Sequence, residues 1–170
     1  MNSSKTKLVV TAAGIVVVGL LFVIGKPNGG DAPLAAVDAT SSSGILVTDG
    51  TSFDFGSISM ANGKVTKEFA VRNEGGVAAT IQKLYTSCMC TDATFVRGEE
   101  RIGPFGMAGH GFTPSLGEAV APGEEVTIAV TFDPAAHGPA GIGRIERGVY
   151  LEDPNGKQLL LLQIAATVMP

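Results

Sequence analysis

The chain has 170 residues, of which 16% are charged, with 23 Gly, 9 Pro, no Trp and a net charge of −4. That length allows one ordinary domain plus extensions, and the Gly and Pro content suits a loop-rich β protein better than a helical bundle. Two cysteines exclude a disulfide scaffold and a four-cysteine zinc ribbon, and the acidic balance with no Lys/Arg cluster argues against nucleic acid as a partner.

The first predicted element is the uncharged run 8–24, LVVTAAGIVVVGLLFVI, preceded by Lys5 and Lys7 and followed by Lys26. At 1.5 Å per residue it spans roughly 26 Å, the short end of what crosses a bilayer core. It has no amphipathic stripe of the kind a core helix needs. Gly25-Lys26-Pro27-Asn28 is a poor cleavage site and Val37-Asp38-Ala39 lies far downstream. A retained signal anchor over residues 8–25 is therefore favoured over a cleaved signal peptide. The lysines ahead of the run put residues 1–7 in the cytoplasm and the rest of the chain outside it, at the cell membrane. The residues after position 30 hold nine basic and sixteen acidic side chains, a net of −7.

Residues 26–44, with Gly29-Gly30, Pro33, an alanine-rich stretch and Ser41-Ser42-Ser43-Gly44, read as a flexible linker. From residue 45 to 170 the pattern becomes short alternating runs between turns. Phe53 and Phe55 share one face, and Asn62-Gly63 signals a hairpin. Strands are predicted over 65–73, then over 79–86 after the turn Glu74-Gly75-Gly76, and the second runs straight into Ser87-Cys88-Met89-Cys90-Thr91. Residues 97–121 read as a long inserted loop. Pro122-Gly123 then turns into a strand over 126–132, followed by strands over 145–152 and 158–168 that are joined at Asp153-Pro154-Asn155-Gly156. Phe53, Phe55, Phe69 and Phe132 fall at strand spacing and are predicted core residues. The whole reads as all-β, an immunoglobulin-like β-sandwich of about seven strands preceded by one N-terminal transmembrane helix.

These motifs carry a family resemblance. FDFGSI, VTKEFAVRNEGG, SCMCT and APGEEVTIAVTFDP, in that order, resemble the bacterial domain of unknown function 1573 family. The resemblance implies an exported immunoglobulin-like domain, related in architecture to the hydin and major-sperm-protein sandwiches, and implies no biochemical function. The family pattern has Gly between the cysteines where this chain has Met89.

Cys88 and Cys90 are the candidates for chemistry. On an extended strand, residues i and i+2 face the same way with Cα atoms about 6.5–7 Å apart, at the edge of disulfide geometry. A bridge there needs a kinked backbone; as thiolates, the pair could chelate copper or zinc. The two histidines, His110 and His137, lie in GPFGMAGHG and HGPAGIG. Because sandwich strands alternate in direction, the end of the strand carrying the cysteines and the end of the 126–132 strand share one pole. That predicts convergence of Cys88, Cys90 and His137, with His110, Met107 and Met89 as further soft donors. The competing readings are buried structural thiols or a strained disulfide, and an oxidisable dithiol. Met89 alone reads as a packing residue.

Other constellations fail. The loop glycines do not form G-x-G-x-x-G, and Ser87 lacks a G-x-S-x-G elbow. Arg144 and Arg147, near Glu146, read as an exposed face paired on the surface. Phe105 and Phe112 on the inserted loop are candidate anchors for a partner, with packing of the loop onto the domain as the favoured alternative. The sequence thus reads as a non-enzymatic interaction or structural module of the cell envelope, bound to the membrane by its N-terminal helix and open to an envelope protein partner. Soft-metal binding or thiol redox at the cysteine pair is the alternative.

Overall fold

Alternating apolar and polar residues give each strand one face that leaves water and one that keeps it. In Val65–Asn73 the buried positions are Phe69, Val71 and Asn73, and in Glu125–Phe132 they include Val126, Ile128, Val130 and Phe132. A computed structural model describes residues 44–109 and 115–170. The expected cytoplasmic segment, signal anchor and all but the last linker residue lie outside the described residues, as do His110 and Phe112. Among the described residues, no helix is long and apolar enough to cross a membrane.

The described chain is all-β. Its strands are β1 (Leu46–Val47), β2 (Ser52–Ser59), β3 (Val65–Asn73), β4 (Ala79–Ile81), β5 (Lys83–Thr86) and β6 (Thr91–Arg97). There follow β7 (Glu100–Phe105), β8 (Glu118–Val120), β9 (Glu125–Phe132), β10 (Gly143–Glu152) and β11 (Gln158–Met169). One sheet has the order β1-β3-β9-β6-β7, a second β2-β11-β10-β5, and β4 pairs with β8 as a small third. Side chains from all three meet in one apolar core, centred on Phe95, Ile81, Leu84, Ile128, Leu151 and Leu162.

Eleven strands replace the expected seven or so for identifiable reasons. The run 79–86 is two strands, because the chain changes sheets at Gln82: β4 pairs with β8, and β5 pairs with β10. Residues 97–121 are not one loop. Gly98, at φ 57°, turns the chain so that Arg97 pairs with Glu100, and β7 runs back along β6. Arg97 then ties β6 to the segment beyond, donating to Glu118 at 2.6 Å, Glu124 at 2.8 Å and the Ala119 carbonyl at 2.7 Å. Asn62-Gly63 does not close a hairpin. It ends a short 3-10 turn through which the chain crosses between the two large sheets, since β2 pairs in parallel with β11. As a result β2 lies at a sheet edge. Phe53 is 38% exposed and Phe55 half-buried, packed edge-on at 5.0 Å, whereas Phe69 and Phe132 are core residues as expected. The turns at 74–76, 122–123 and 153–156 are where the sequence puts them; in the last, Asp153 N–H donates to the Lys157 carbonyl at 2.9 Å.

The corner between β3 and β4 depends on one buried side chain. Asn73 Oδ1 accepts from the backbone N–H of Ile45 (3.0 Å) and of Gly75 (2.9 Å). Its Nδ2 donates to the carbonyls of Val77 (2.8 Å) and Val120 (2.9 Å). Asn73→Ala leaves four backbone groups without their partner. It is expected to cost about 3–5 kcal/mol, seen as a lowered denaturation midpoint with an unchanged denaturant slope; a shift below about 1 kcal/mol would contradict the assignment.

Candidate functional site

The site begins with a register. β5 runs antiparallel to β10 with Thr86 opposite Val149. The pairing continues past the strand, where Ser87 N–H donates to the Gly148 carbonyl and Gly148 N–H to Ser87 Oγ, each at 2.9 Å. The next step brings Cys88 level with Arg147. There the chain turns instead of extending: Thr91 N–H donates to the Cys88 carbonyl at 3.1 Å, so residues 88–91 form a β-turn with Met89 at its outer corner. Buried Thr86 clamps both sides of the turn, its Oγ1 donating to the carbonyls of Cys88 (3.0 Å) and Thr91 (2.8 Å).

This turn departs from the extended geometry assumed for the C-x-C pair. Cys90 N–H points at Cys88 Sγ, 3.4 Å away, and both cysteines are free thiols. The end of β9 closes on them. Asp133 N–H donates to the Cys90 carbonyl at 2.9 Å, and the chain then swings through residues 134–137 into the turn Gly138–Gly141. Gly138 takes φ 55°, a conformation that costs glycine little and L-residues more. It reverses the chain immediately after His137, whose Nε2 lies 3.2 Å from Cys88 Sγ. The donor atoms of Cys88, Cys90 and His137 all lie within 4.8 Å of one another. Cys90 is buried, Cys88 half-buried and His137 exposed, so the cluster is open on the imidazole side.

The cluster has a fourth member that the sequence reading misplaced. Arg147 does not sit on an exposed face. It lies between Ile145 and Val149 on the side of β10 that carries the buried residues, and its Nε donates to Cys90 Sγ at 3.2 Å. Arg144 fits the surface reading, paired with Asp54 at 2.7 Å with both side chains half exposed. The available signal for Arg147 was its period-two spacing with Ile145, Val149 and Leu151.

Electrostatics separate the two thiols. Burial works against the Cys88 thiolate, but hydrogen bonds from the Cys90 thiol, the Cys90 N–H and His137, together with the charge of Arg147, outweigh it and lower Cys88 to about 7. For Cys90, burial and then the hydrogen bond with Cys88 push the thiol up against the lowering effect of Arg147 and Thr91. At neutral pH the pair therefore holds one easily ionised sulfur beside one that keeps its proton.

The remaining candidates separate. Met107 is half-buried and its backbone bridges to Thr86, two residues before Cys88. Met89 is 62% exposed at the turn corner, so it does not pack as expected. Phe105 ends β7 and is 3% exposed; it is part of the core, which rules out the partner-anchor reading for this residue and agrees with the packing alternative.

Two facing sheets and a dithiol–histidine cluster at a strand-connecting turn define the class, an all-β domain with a single soft-donor site among the described residues. Residues 46–104 match the family described as "Protein of unknown function (DUF1573)". A solved protein of unknown function from Porphyromonas gingivalis W83 superposes with a TM-score of 0.53 at 15% identity, covering 78% of this chain and 51% of that one. The chain thus spans about half the length of that protein, and the likeness is one of fold. A GH3 exo-beta-xylosidase, solved with a xylobiose aziridine activity-based probe, aligns at a TM-score of 0.32 and 11% identity over 73% of this chain and 17% of the enzyme, too low to carry any argument. No curated protein matches the chain.

Iodoacetamide alkylation followed by mass spectrometry checks the ionisation order. Cys88 should reach half its limiting rate near pH 7 and Cys90 only at higher pH. His137→Ala removes a hydrogen bond that favours the Cys88 thiolate, so its midpoint should rise. A wild-type Cys88 midpoint at the ordinary thiol value of about 8.5 would contradict the geometry.

Proposed function

We propose that this chain is an extracytoplasmic, immunoglobulin-like module, held to the membrane through residues 8–25, that binds a soft metal ion and exchanges it with an envelope partner without catalysing a reaction. The observation that carries the reading is the convergence of Cys88, Cys90 and His137 donor atoms within 4.8 Å. Two sulfurs and an imidazole suit copper or zinc, whereas magnesium, calcium and manganese prefer oxygen donors. The three donors come from two connections brought together by folding, the β5–β6 turn and the segment after β9. A site assembled in this way is absent from the unfolded chain, so metal binding adds to the stability of the fold.

The support for location is the uncharged run at 8–24 with its preceding lysines, and the support for architecture is the pair of facing sheets with one core. The exposed side of His137 gives an ion a route in and a partner a place to approach. A second reading, an oxidisable dithiol, is favoured by the turn at 88–91, which bends the chain so that the Cys90 N–H reaches the Cys88 sulfur.

Metal analysis and thiol titration on the purified protein separate these readings. Soft-metal binding predicts one equivalent of copper or zinc, protection of both thiols on loading, and loss of uptake in Cys88→Ser and Cys90→Ser. His137→Ala should weaken binding by more than the roughly 10–100-fold that an outer-shell change costs. A protein that takes up no metal but forms a Cys88–Cys90 disulfide with a measurable, relatively oxidising potential supports the second reading. Two unreactive thiols and no metal would sink both.

A further inference from the structure

We propose that the site takes a monovalent soft cation, Cu(I), in preference to a divalent one, and that Arg147 sets this preference by neutralising the negative charge of the metal–bis-thiolate. The proposal rests on the metal-binding reading above and goes further by naming the ion and the residue that selects it.

The argument starts from a charge in an unusual place. Arg147 occupies an inward position of β10, flanked on the same face by buried Ile145 and Val149. A guanidinium keeps its charge at any relevant pH, and a partly buried charge needs an opposite one close by. Among the described residues the five ion pairs join Arg72 to Glu74, Lys83 to Glu152, Arg97 to Glu118 and Glu124, and Arg144 to Asp54. None involves Arg147. Its side chain donates instead to Cys90 Sγ at 3.2 Å and to the Glu146 carbonyl at 2.8 Å. The donor cluster it faces contains no carboxylate among the described residues. The counter-charge for Arg147 is therefore the sulfur pair itself.

Charge counting then discriminates between ions. Two thiolates and a neutral imidazole carry −2. A monovalent ion leaves the site at −1, and Arg147 brings the assembly to zero. A divalent ion neutralises the donors alone and leaves the guanidinium as an uncompensated positive charge against a positively polarised centre. Donor number points the same way. Three soft donors satisfy Cu(I), while structural zinc is almost always four-coordinate and would have to recruit a ligand from outside the cluster. Binding forms two Cu–S bonds and one Cu–N bond, and any thiol protons still present leave to solvent. No electron is transferred. Arg147 touches a ligand and not the metal, so it is a positioning and charge-compensating residue.

The test uses the full-length protein in detergent. Cu(I) is titrated anaerobically against a chromophoric Cu(I) chelator, and Zn(II) separately against a chromophoric zinc chelator, for wild type, R147M and R147K. Removing the charge in R147M should weaken Cu(I) about 10–100-fold while leaving Zn(II) unchanged or tighter, so that the ratio of the two dissociation constants moves toward zinc. R147K keeps the charge and should keep most of the wild-type ratio. Equal weakening of both ions in R147M, or an R147K ratio that matches R147M, would overturn the charge argument while the metal site itself stands. Failure of wild type to bind either ion removes the underlying reading, and this inference with it. If R147M does not fold by circular dichroism, R147Q takes its place and the same ratio decides.

Discussion

The antiparallel register of β5 against β10, with Thr86 opposite Val149, is the constraint on which the site depends. It decides where the chain is when it reaches its first cysteine, and which residue of β10 is level with it. A slip by one residue would turn every side chain to the opposite face. Because β10 is also held by its long pairing with β11, the slip would fall on β5: Leu84 and Thr86 would leave the core and Cys88 would no longer be level with Arg147. Core burial therefore enforces the same alignment that brings the guanidinium to the sulfur. Packing and site chemistry are specified by one set of backbone pairs.

Polar groups buried near the two ends of the domain reinforce that alignment. Thr86, Thr91 and Asn73 are each 1% exposed or less. Thr86 holds the cysteine turn, Asn73 holds the corner where β3 gives way to β4, and Thr91 begins β6 with its hydroxyl 3.7 Å from Cys90 Sγ. Among the described residues, no buried side-chain nitrogen or oxygen lacks a partner. Such groups cost free energy when unpaired, so alternative arrangements of these turns are penalised twice, through lost packing and through orphaned donors.

Much of this architecture can be read from the residues. Alternation marks β3, β9, β10 and β11 with small boundary errors, and strand direction alone predicts that Cys88, Cys90 and His137 meet at one end. Local signals mislead where tertiary context overrides them. Residues 97–121 read as one loop, yet Gly103 and Pro104 lie within β7, an edge strand where a missing N–H is tolerated. Asn62-Gly63 has hairpin chemistry but closes no hairpin, since β2 finds its partner in β11. Arg147 was hidden by Arg144 and Glu146, whose charges suggested a solvated surface. Only its alternation with Ile145, Val149 and Leu151 betrays the inward side. The cysteine turn could not be anticipated from spacing, because its bend comes from Thr86 and from Thr91 pairing back to Cys88.

The position of β11 has a consequence for the order of assembly. The last strand of the domain lies in the middle of its sheet, pairing in parallel with β2 and antiparallel with β10. Ser59 Oγ donates to the Pro170 carbonyl across 111 positions of sequence. Contacts this distant in the chain are slow to form, because loop closure precedes any gain from them. β2 has no sheet to join until β11 arrives, and β10 has only the short β5 on its other side. As the chain emerges, the thiols exist before the surroundings that differentiate them. The guanidinium of the cluster sits on β10, so the completed site depends on pairings that include the most C-terminal strand of the domain.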